Sequence, residues 1–346
     1  MWRDLTDPRK IAKGVDPEAN RDEPVFANVH PPERFDAATV LVDDYKVRRY
    51  AFTVGDYHPW AFGDSPFGGR IAQAGLLTND LVQLFTMRYA ASRVVGLHTE
   101  EQLWFERPIH VGAQVTLAGG YVQKYEKRGL GYVVMEAEAT GRDGERFIRH
   151  RGIEVLRTVP GQVAGRGSAT AREGSDKAVT GDYDPDLPYV VKAGSGLRSG
   201  MPLAPLNRVI TAEQAAVFSR LGEYVVNIHN NIDRAREAGL NIPIIQGQQQ
   251  ACVLLELLTR LFGKAWFLHG WFKCKFIRPV QVFERLLVGC VVTNVETEGD
   301  KSLITLDIWT KQSNGSLATV GWASCLVDGM VPAQVTPVPS STTCVQ

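Results

Sequence analysis

A polar turn in the second half of the chain carries an acid, an amide and an imidazole close together. Glu223, Asn227 and His229 follow a short helical pattern, and a long apolar helical pattern begins farther on at Gln246 and Gly247. A carboxylate and a histidine can hold a water molecule and move its proton. The free N–H groups at the start of a helix can stabilise a negatively charged oxygen. Together these residues predict proton transfer next to a carbonyl group.

Each of these residues has a role in that chemistry and a structural alternative. His229 would act as base or acid, since an imidazole titrates near neutral pH, or it is a turn histidine bonded to nearby backbone. Glu223 would orient the imidazole or hold the water, or it is a solvated carboxylate at a helix end. Gly247 and Gln246 would bind the carbonyl oxygen at the positive end of the helix dipole, or Gly247 is a loop glycine.

The composition describes a globular protein with a sizeable core. The chain has 346 residues, of which 44% are hydrophobic and 22% charged, and this length is enough for two domains. Lys and Arg together number 38, as do Asp and Glu, so the net charge favours neither nucleic acid nor a membrane as partner. No apolar stretch approaches the ~20 residues of a membrane-spanning helix, and the first residues do not resemble a secretory signal.

Other chemistries lack their usual sequence patterns. The five cysteines show no paired spacing, which predicts free thiols and a cytoplasmic location. No HExxH motif or His–Cys spacing indicates a metal, so no metal site is predicted. Glycine-rich segments match neither a phosphate-binding loop nor a dinucleotide fingerprint. Gly194-Ser195-Gly196 lies in a linker region, which disfavours a serine hydrolase.

Hydrophobic periodicity predicts two similar sets of helices and strands. In the first half, the predicted helices span 44–54 and 71–89, and the predicted strands span 97–105, 114–123, 131–139 and 146–156. In the second half, the predicted helices span 212–221 and 248–262, and the predicted strands span 267–277, 286–295, 302–310 and 317–327. Each set has one long helix that the strands must wrap in order to bury it.

Four landmarks recur in the same order in the two halves, which predicts an internal duplication. The pairs, with their offsets in residues, are Gly55-Asp56 with Gly222-Glu223 (167), Gln73 with Gln246 (173), Arg107-Pro108 with Arg278-Pro279 (171) and Asp143-Gly144 with Asn314-Gly315 (171). The predicted organisation is an N-terminal arm (1–40), a first copy (41–157), a linker (158–205), a second copy (206–330) and a C-terminal tail (331–346).

The order of these motifs resembles the MaoC-like hydratase/dehydratase family of hot-dog proteins. Two consecutive copies resemble its double hot-dog members, over roughly residues 40–157 and 206–328. The resemblance implies an α+β fold in which antiparallel sheets wrap long central helices. The family motif is Gly-Asp, one residue, then Asn-Pro-apolar-His, with a carboxylate two residues after the histidine.

Both copies depart from this motif. In the first copy Asp56 is present, but His58 stands at the asparagine place and Ala61 at the histidine place. In the second copy Glu223 stands at the acid place, and one inserted residue precedes Asn227 and His229. The second copy also lacks the proline, and Asn231 takes the place of the carboxylate that follows the histidine.

The resemblance implies addition of water to a 2-enoyl thioester, or the reverse dehydration of a 3-hydroxyacyl thioester. Coenzyme A or a carrier protein would be part of the substrate, and no separate cofactor is expected. We predict a single working site at the interface between the copies, built mainly on the second. His229 would be the base or acid, Glu223 or Asp56 would hold the water, and the Gly247 N–H would stabilise the enolate.

The first copy has its own candidate residues. Asp56 and His58 form a degenerate half-site in this interpretation, and the groove around them would be reshaped to hold an acyl chain. The aromatic residues Trp60, Phe62 and Phe67 fit such a groove, although aromatic residues in a turn also serve packing.

Two other functions stay open at this point. Thioester hydrolysis would need a carboxylate on the long helix, where Glu256 is the sole acid but lies more than two turns from the helix start. A non-catalytic acyl-thioester binding or assembly protein would be consistent with the broken motifs. Free sheet edges predict a homodimer or higher homo-oligomer in either case.

Overall fold

The computed structural model describes residues 18–94, 96–156, 178–219, 226–328 and 332–336. Glu223 lies outside these ranges, as do residues 158–177 of the predicted linker. Most of the C-terminal tail and residues 1–17 of the arm also lie outside them.

Ten strands of the described chain form one antiparallel sheet made of two five-stranded halves. The first half contains β1 (Ala38–Leu41), β2 (Gly96–Phe105), β3 (Gln114–Lys127), β4 (Leu130–Thr140) and β5 (Arg146–Leu156). Two short strands that pair with each other, β6 (Tyr189–Lys192) and β12 (Gln334–Thr336), lie outside this sheet. The second half contains β7 (Leu206–Val209), β8 (Trp271–Phe276), β9 (Arg285–Glu298), β10 (Lys301–Gln312) and β11 (Leu317–Asp328).

The two halves have the same strand order, which confirms the predicted duplication of the fold. The order is β1-β3-β4-β5-β2 in the first copy and β7-β9-β10-β11-β8 in the second. The halves join through β2 and β8, which pair antiparallel with Leu103 opposite Phe272. The hairpin turns before β5 and β11 contain Gly144 and Gly315, both with positive φ, as the Asp-Gly and Asn-Gly signals predict.

Six helices occur in the described ranges. They are α1 (Asp44–Val54), α2 (Thr78–Val82), α3 (Ala212–Phe218), α4 (Ile232–Glu237), α5 (Gly247–Phe262) and α6 (Lys264–His269). Helix α3 begins with a capping box, in which the Thr211 and Gln214 side chains bond each other's backbone N–H groups. Helix α1 begins after Asp43, whose carboxylate accepts from the Lys46 N–H, and ends at Gly55 in the left-handed region.

Helix α5 is the centre of the core. Fourteen of its 16 residues are buried, which means that it is covered on all sides. The second copy's sheet covers one side, where the Gln250 amide oxygen accepts from Thr319 at 2.8 Å. The first copy covers another side, where the Gln249 amide donates to the Thr53 carbonyl at 2.9 Å. Both copies therefore pack on the same helix.

The first copy has no helix of the length of α5, so the prediction of a long helix at 71–89 is wrong. The structure has only α2, followed by a 3₁₀ turn at Gln83–Met87. Thr78 and Thr86 each donate from the hydroxyl to a carbonyl three residues earlier, and the Asn79 amide donates to Phe218 in the second copy. Side chains of this kind compete with helical backbone bonds, which explains the interruption.

The predicted strand 267–277 begins too early. Residues 264–269 form α6, and β8 begins only after Gly270. A Cβ at Gly270 would lie 2.5 Å from the Trp266 carbonyl oxygen, so the turn between helix and strand requires glycine. The apolar run Ala265 to Leu268 was ambiguous because short apolar runs fit helix and strand equally well.

Parts of the arm and of the linker pack against the copies. In the arm, Phe35 is buried and its N–H donates to the Gly119 carbonyl on β3. In the linker, Val190 on β6 is buried, and the Leu203 N–H donates to the Cys290 carbonyl on β9. The four described cysteines are free and buried, and Cys344 lies outside the described residues. None of the helices in the described ranges is long and apolar enough to cross a membrane.

The central position of α5 predicts a large loss of stability when its core face is truncated. We expect Leu254→Ala to lower the free energy of unfolding by about 2–5 kcal/mol, because Leu254 is fully buried. Chemical denaturation measures this value. Leu303→Ala on β10 is the matched control, since Leu303 is 38% exposed and should cost about 1 kcal/mol or less. Equal losses in the two variants would contradict the central role of α5.

Candidate functional site

Backbone hydrogen bonds align the polar turns of the two copies. The Ile244 N–H donates to the Ile228 carbonyl at 3.3 Å, and the Ile71 N–H donates to the Trp60 carbonyl at 3.0 Å. The residue after each carbonyl therefore occupies the same place in its copy. His229 follows Ile228 and Ala61 follows Trp60, so the first copy has alanine where the second has its histidine.

The imidazole of His229 is held in one tautomer. Its Nδ1 lies 2.8 Å from the carbonyl oxygen of Ile244. A carbonyl oxygen can only accept, so Nδ1 carries the proton and Nε2 keeps its lone pair. The turn itself is fixed by Asn227, whose side-chain oxygen accepts from the His229 N–H at 2.8 Å. His229 is therefore presented with an unprotonated ring nitrogen.

Burial keeps this histidine neutral. Loss of hydration lowers the pKa of His229 to about 4, although the bond to the Ile244 carbonyl acts in the opposite direction. At neutral pH the ring is thus uncharged. The side chain is only half-buried, which leaves part of it accessible. A neutral, oriented and partly accessible imidazole is suited to accept a proton.

Only two residues separate the start of α5 from Ile244, which binds this histidine. Ile244, which accepts from His229, is three residues before Gly247, the first residue of α5. Gln246 makes no side-chain capping bond, so the first-turn N–H groups are not capped by it. Glycine is needed at position 247, because a Cβ would lie 2.9 Å from the ring of Phe276. An oxyanion and the base could therefore sit side by side.

Gln248 is a residue of this region that the sequence did not single out. It is buried, and neither its amide oxygen nor its amide nitrogen has a hydrogen-bond partner among the described residues. The side-chain oxygen of Gln246 is also buried without such a partner. Buried polar groups are normally bonded, so these amides leave donors and acceptors open for a ligand or water at the helix start.

Asp56 and His58 belong to the turn after α1 and lie near a later part of α5. The Asp56 carboxylate accepts from the His58 N–H at 3.1 Å. Burial, followed by the nearby Glu256 carboxylate, raises the pKa of Asp56 to about 7. His58 Nδ1 accepts from the Trp60 N–H, and burial followed by the charge of Arg260 lowers the His58 pKa. The neighbours of this pair are thus the residues of the second half of α5.

Glu256 is brought to the first copy by long-range contacts. Arg208 donates to the carbonyl oxygens of Val54 and Gly55, just before Asp56, and also binds the Glu256 carboxylate. Arg260, four residues along α5, binds the other oxygen of Glu256. Both carboxylate oxygens are therefore occupied by guanidinium groups. Of these contacts, only the pair of Glu256 and Arg260 could be expected from the sequence, because the two residues have the (i, i+4) spacing of helical ion pairs.

The structure thus separates the predicted site residues into two groups. Asn227, His229, Gln246 and Gly247 come together at the start of α5, and Glu223 lies outside the described residues. Asp56 and His58 come together with Glu256, nine residues or about 13 Å farther along the helix axis.

The aromatic residues near Asp56 pack against one another. Trp60 and Phe67 both contact Phe267 of α6, with ring centroids 6.1 and 6.0 Å away.

Within the described ranges, no group of three or more His, Cys, Asp or Glu side chains is placed to hold a metal ion.

Comparison with known proteins gives a match in fold. No family model and no curated protein matches the sequence. A solved structure called a MaoC-like dehydratase is 18% identical, with a TM-score of 0.63 over 90% of this chain and 99% of that one. A conserved hypothetical protein from Mycobacterium tuberculosis, described as having a double hotdog fold, is 17% identical, with a TM-score of 0.61 over 88% and 98%.

A larger protein also matches. The full-length peroxisomal multifunctional enzyme type 2 from Drosophila melanogaster is 16% identical, with a TM-score of 0.57 over 85% of this chain but 48% of its own length. At these identities the matches show the fold. The double hot-dog α+β fold that the motif order predicted is therefore confirmed.

The raised pKa of Asp56 predicts a pH dependence of stability. The carboxyl group binds its proton more tightly in the folded protein than the ordinary value of 3.8 allows in the unfolded one. The contribution of Asp56 to the free energy of unfolding is therefore fully present below about pH 4 and is lost as pH rises through about 7. The loss amounts to at most about 4 kcal/mol. We expect Asp56→Asn to abolish this loss.

The measurement is urea unfolding of wild type and Asp56→Asn at several pH values from 4 to 8. The difference in unfolding free energy between the two proteins should shift in favour of the variant as pH rises. Because other titrating groups are common to both proteins, their effects cancel in this difference. A difference that does not change with pH would show that Asp56 ionises normally.

Proposed function

We propose that the protein is a hydro-lyase that adds water to a 2-enoyl thioester or removes it from a 3-hydroxyacyl thioester. The observation that carries this proposal is the position of His229, whose Nδ1–H bonds the Ile244 carbonyl just before the start of α5. A base with a free Nε2 and a helix start with free N–H groups are thereby joined. Fold matches to structures called dehydratases support it.

The proposed reaction uses these two groups in sequence. The thioester carbonyl oxygen accepts a hydrogen bond from the Gly247 N–H at the positive end of α5. His229 Nε2 takes a proton from a water molecule as the water oxygen forms a bond to C3. The C2–C3 π electrons move to the carbonyl oxygen as an enolate. C2 then takes a proton from the imidazolium, which restores neutral His229, and dehydration is the reverse.

The other residues of the group position this chemistry. Asn227 fixes the turn that carries His229. The open amides of Gln246 and Gln248 would bond the water or the thioester. Glu223, at the acid place of the motif, would hold the water. Coenzyme A or a carrier protein would belong to the substrate, so the reaction needs no separate cofactor.

Thioester hydrolysis is less well supported by the contacts. Glu256, the acid of the long helix, has each carboxylate oxygen bound by an arginine and would not be free to attack a carbonyl.

A homodimer stays a prediction from the sheet edges at the short strands β1 and β7, and a cytoplasmic location stays a prediction as well.

Removal of the imidazole should remove the activity. We expect His229→Ala to lower kcat/KM for hydration of a panel of 2-enoyl-CoA thioesters by about 10²–10⁴-fold, because the general base is lost. Hydration is followed by the loss of enoyl-thioester absorbance. Circular dichroism checks that the variant is folded.

His58→Ala is the matched control, since His58 lies at the equivalent turn of the first copy. It should retain activity within a few fold of wild type. If His58→Ala loses activity and His229→Ala keeps it, the first copy carries the reaction. If wild type binds acyl-CoA but turns over no thioester, the non-catalytic binding function is correct.

The pH profile provides a separate test of the base. Since the pKa of His229 is lowered to about 4, Nε2 stays unprotonated at mildly acidic pH. We expect kcat/KM for hydration to rise with pH through a midpoint near 4 and to stay level up to neutral pH. An acid limb with its midpoint at the ordinary histidine value of 6.5 would contradict the buried, neutral base.

A further inference from the structure

Three titratable side chains cluster on the inner face of the first copy's sheet, which is the face that packs on the helices. Glu101 on β2 is completely buried. Its Oε2 lies 2.9 Å from Nε2 of His150 on β5 and 3.1 Å from Nε2 of His98. His150 thus bonds this carboxylate oxygen, and His98 lies beside it while its Nε2 donates to the Glu100 carbonyl at 2.9 Å. We call Glu101, His150 and His98 the polar cluster.

The polar cluster has two polar atoms that make no hydrogen bond within the described part of the chain. Glu101 Oε1 is buried and has no hydrogen-bond partner among the described residues, and the same is true of His150 Nδ1. Burial acts against ionisation of Glu101, but His150 and His98 outweigh it and hold the pKa of Glu101 below its usual value. The open oxygen is therefore that of a carboxylate.

The fold itself does not require polar residues at these places. The Arg-Pro and hairpin landmarks relate the copies by 171 residues, which places Phe272 at the position of Glu101 and Gly321 at that of His150. The strand register agrees, since Leu103 pairs with His150 as Cys274 pairs with Gly321. Phe272 is fully buried in the second copy. The same architecture is thus stable with an apolar side chain there.

Keeping a carboxylate in this position has a cost. Taking a charge out of water costs several kcal/mol, and even a well-paired buried ion pair is often no more stable than apolar residues of similar size. Leaving one of its oxygens without a donor adds to that cost. A polar cluster found in one copy only, with an open acceptor, is better explained by binding than by folding.

The polar cluster lies close to the candidate catalytic site. The ring of Phe276 on β8 touches Gly247 at the start of α5 and is 5.1 Å, centroid to centroid, from the ring of His98. Cys274, two residues earlier on β8, pairs directly with Glu101. Phe276 therefore separates the carbonyl-binding helix start from the polar cluster by the width of one aromatic ring.

We propose that the polar cluster binds a hydroxyl group on the acyl part of the thioester, with Glu101 Oε1 as the acceptor. This proposal rests on the proposed function, because it assumes that a thioester lies at the start of α5. The substrate class would be acyl thioesters that carry a hydroxyl group beyond the reacting carbons.

The chemistry of the polar cluster selects a hydroxyl among polar groups. The open carboxylate oxygen of Glu101 is an acceptor, so the ligand must supply a hydrogen-bond donor. A carboxylate or phosphate would be repelled by the carboxylate of Glu101, whose pKa is held below its usual value. An ammonium group would have to give up its full hydration in this buried place, whereas a hydroxyl loses much less.

The test compares saturated ligands, which cannot be hydrated and so report binding alone. Isothermal titration calorimetry measures the Kd of decanoyl-CoA and of a series of decanoyl-CoA ligands, each with one hydroxyl on a different carbon of the outer half of the chain. We expect at least one hydroxylated ligand to bind wild type about tenfold or more tightly than decanoyl-CoA.

Glu101→Leu should abolish this preference or reverse it, and Glu101→Gln, which keeps the shape, should reduce it. Glu100→Gln is the matched control, because Glu100 is the adjacent residue on the opposite face of β2, where it pairs with Lys273. That variant should keep the preference. A thermal unfolding scan checks that each variant is folded.

The outcomes separate the two proposals. If decanoyl-CoA binds and enoyl-CoA is hydrated but no hydroxylated ligand binds more tightly, the hydroxyl site is wrong and the proposed function stands. A preference that survives Glu101→Leu would also overturn the hydroxyl site. If no acyl-CoA binds at all, both proposals fail.

Discussion

The burial of one polar-studded helix between two copies of the same fold controls the rest of this structure. Helix α5 carries glutamine and glutamate side chains on a surface that is buried almost everywhere, and each needs a partner. The partners come from both copies: Gln249 bonds Thr53 in the first copy, while Gln250 bonds Thr319 in the second. The bonds of Gln249 and Gln250 therefore tie both copies to α5.

The same helix connects the two groups of candidate residues. Its start adjoins His229, and its later turns carry Glu256 to the turn that holds Asp56. The copies have diverged around this shared element. The first copy has Ala61 in place of the histidine, an interrupted helix at α2, and a carboxylate where the second copy has phenylalanine. Under the two proposals, the second copy carries the chemistry and the first copy contributes to recognition.

Much of the architecture could be predicted from the sequence because its signals are local. The repeated Arg-Pro and hairpin dipeptides, the strand alternation and the capping box at Thr211 each depend on neighbouring residues, and the structure contains the elements they indicate. The prediction was wrong at residues 71–89, where Asn79 bonds the backbone of the other copy instead of supporting a long helix. Such a partner, 139 residues away, leaves no local pattern.

The candidate site was only partly predictable for the same reason. The spacing of Asn227 and His229 identified the turn, but the tautomer of His229 depends on a carbonyl 15 residues away. The approach of Glu256 to Asp56 depends on Arg208 as an intermediary between copies, which no spacing rule reveals. The polar cluster was missed because Glu101 lies in a strand whose burial became clear only when β8 was placed beside it.

The seam between β2 and β8 has a consequence for how two unlike copies find each other. Across it, Glu100 lies 3.1 Å from Lys273, so the matching surfaces are charged as well as hydrogen-bonded. If the copies were separate polypeptides, each could also pair with itself, and correct pairs would depend on concentration. Fusion in one chain makes the encounter intramolecular, with an effective concentration set by the connection alone. Every molecule then contains one of each copy. A substitution in one copy therefore does not appear in the other, as it would in a symmetric dimer of identical chains.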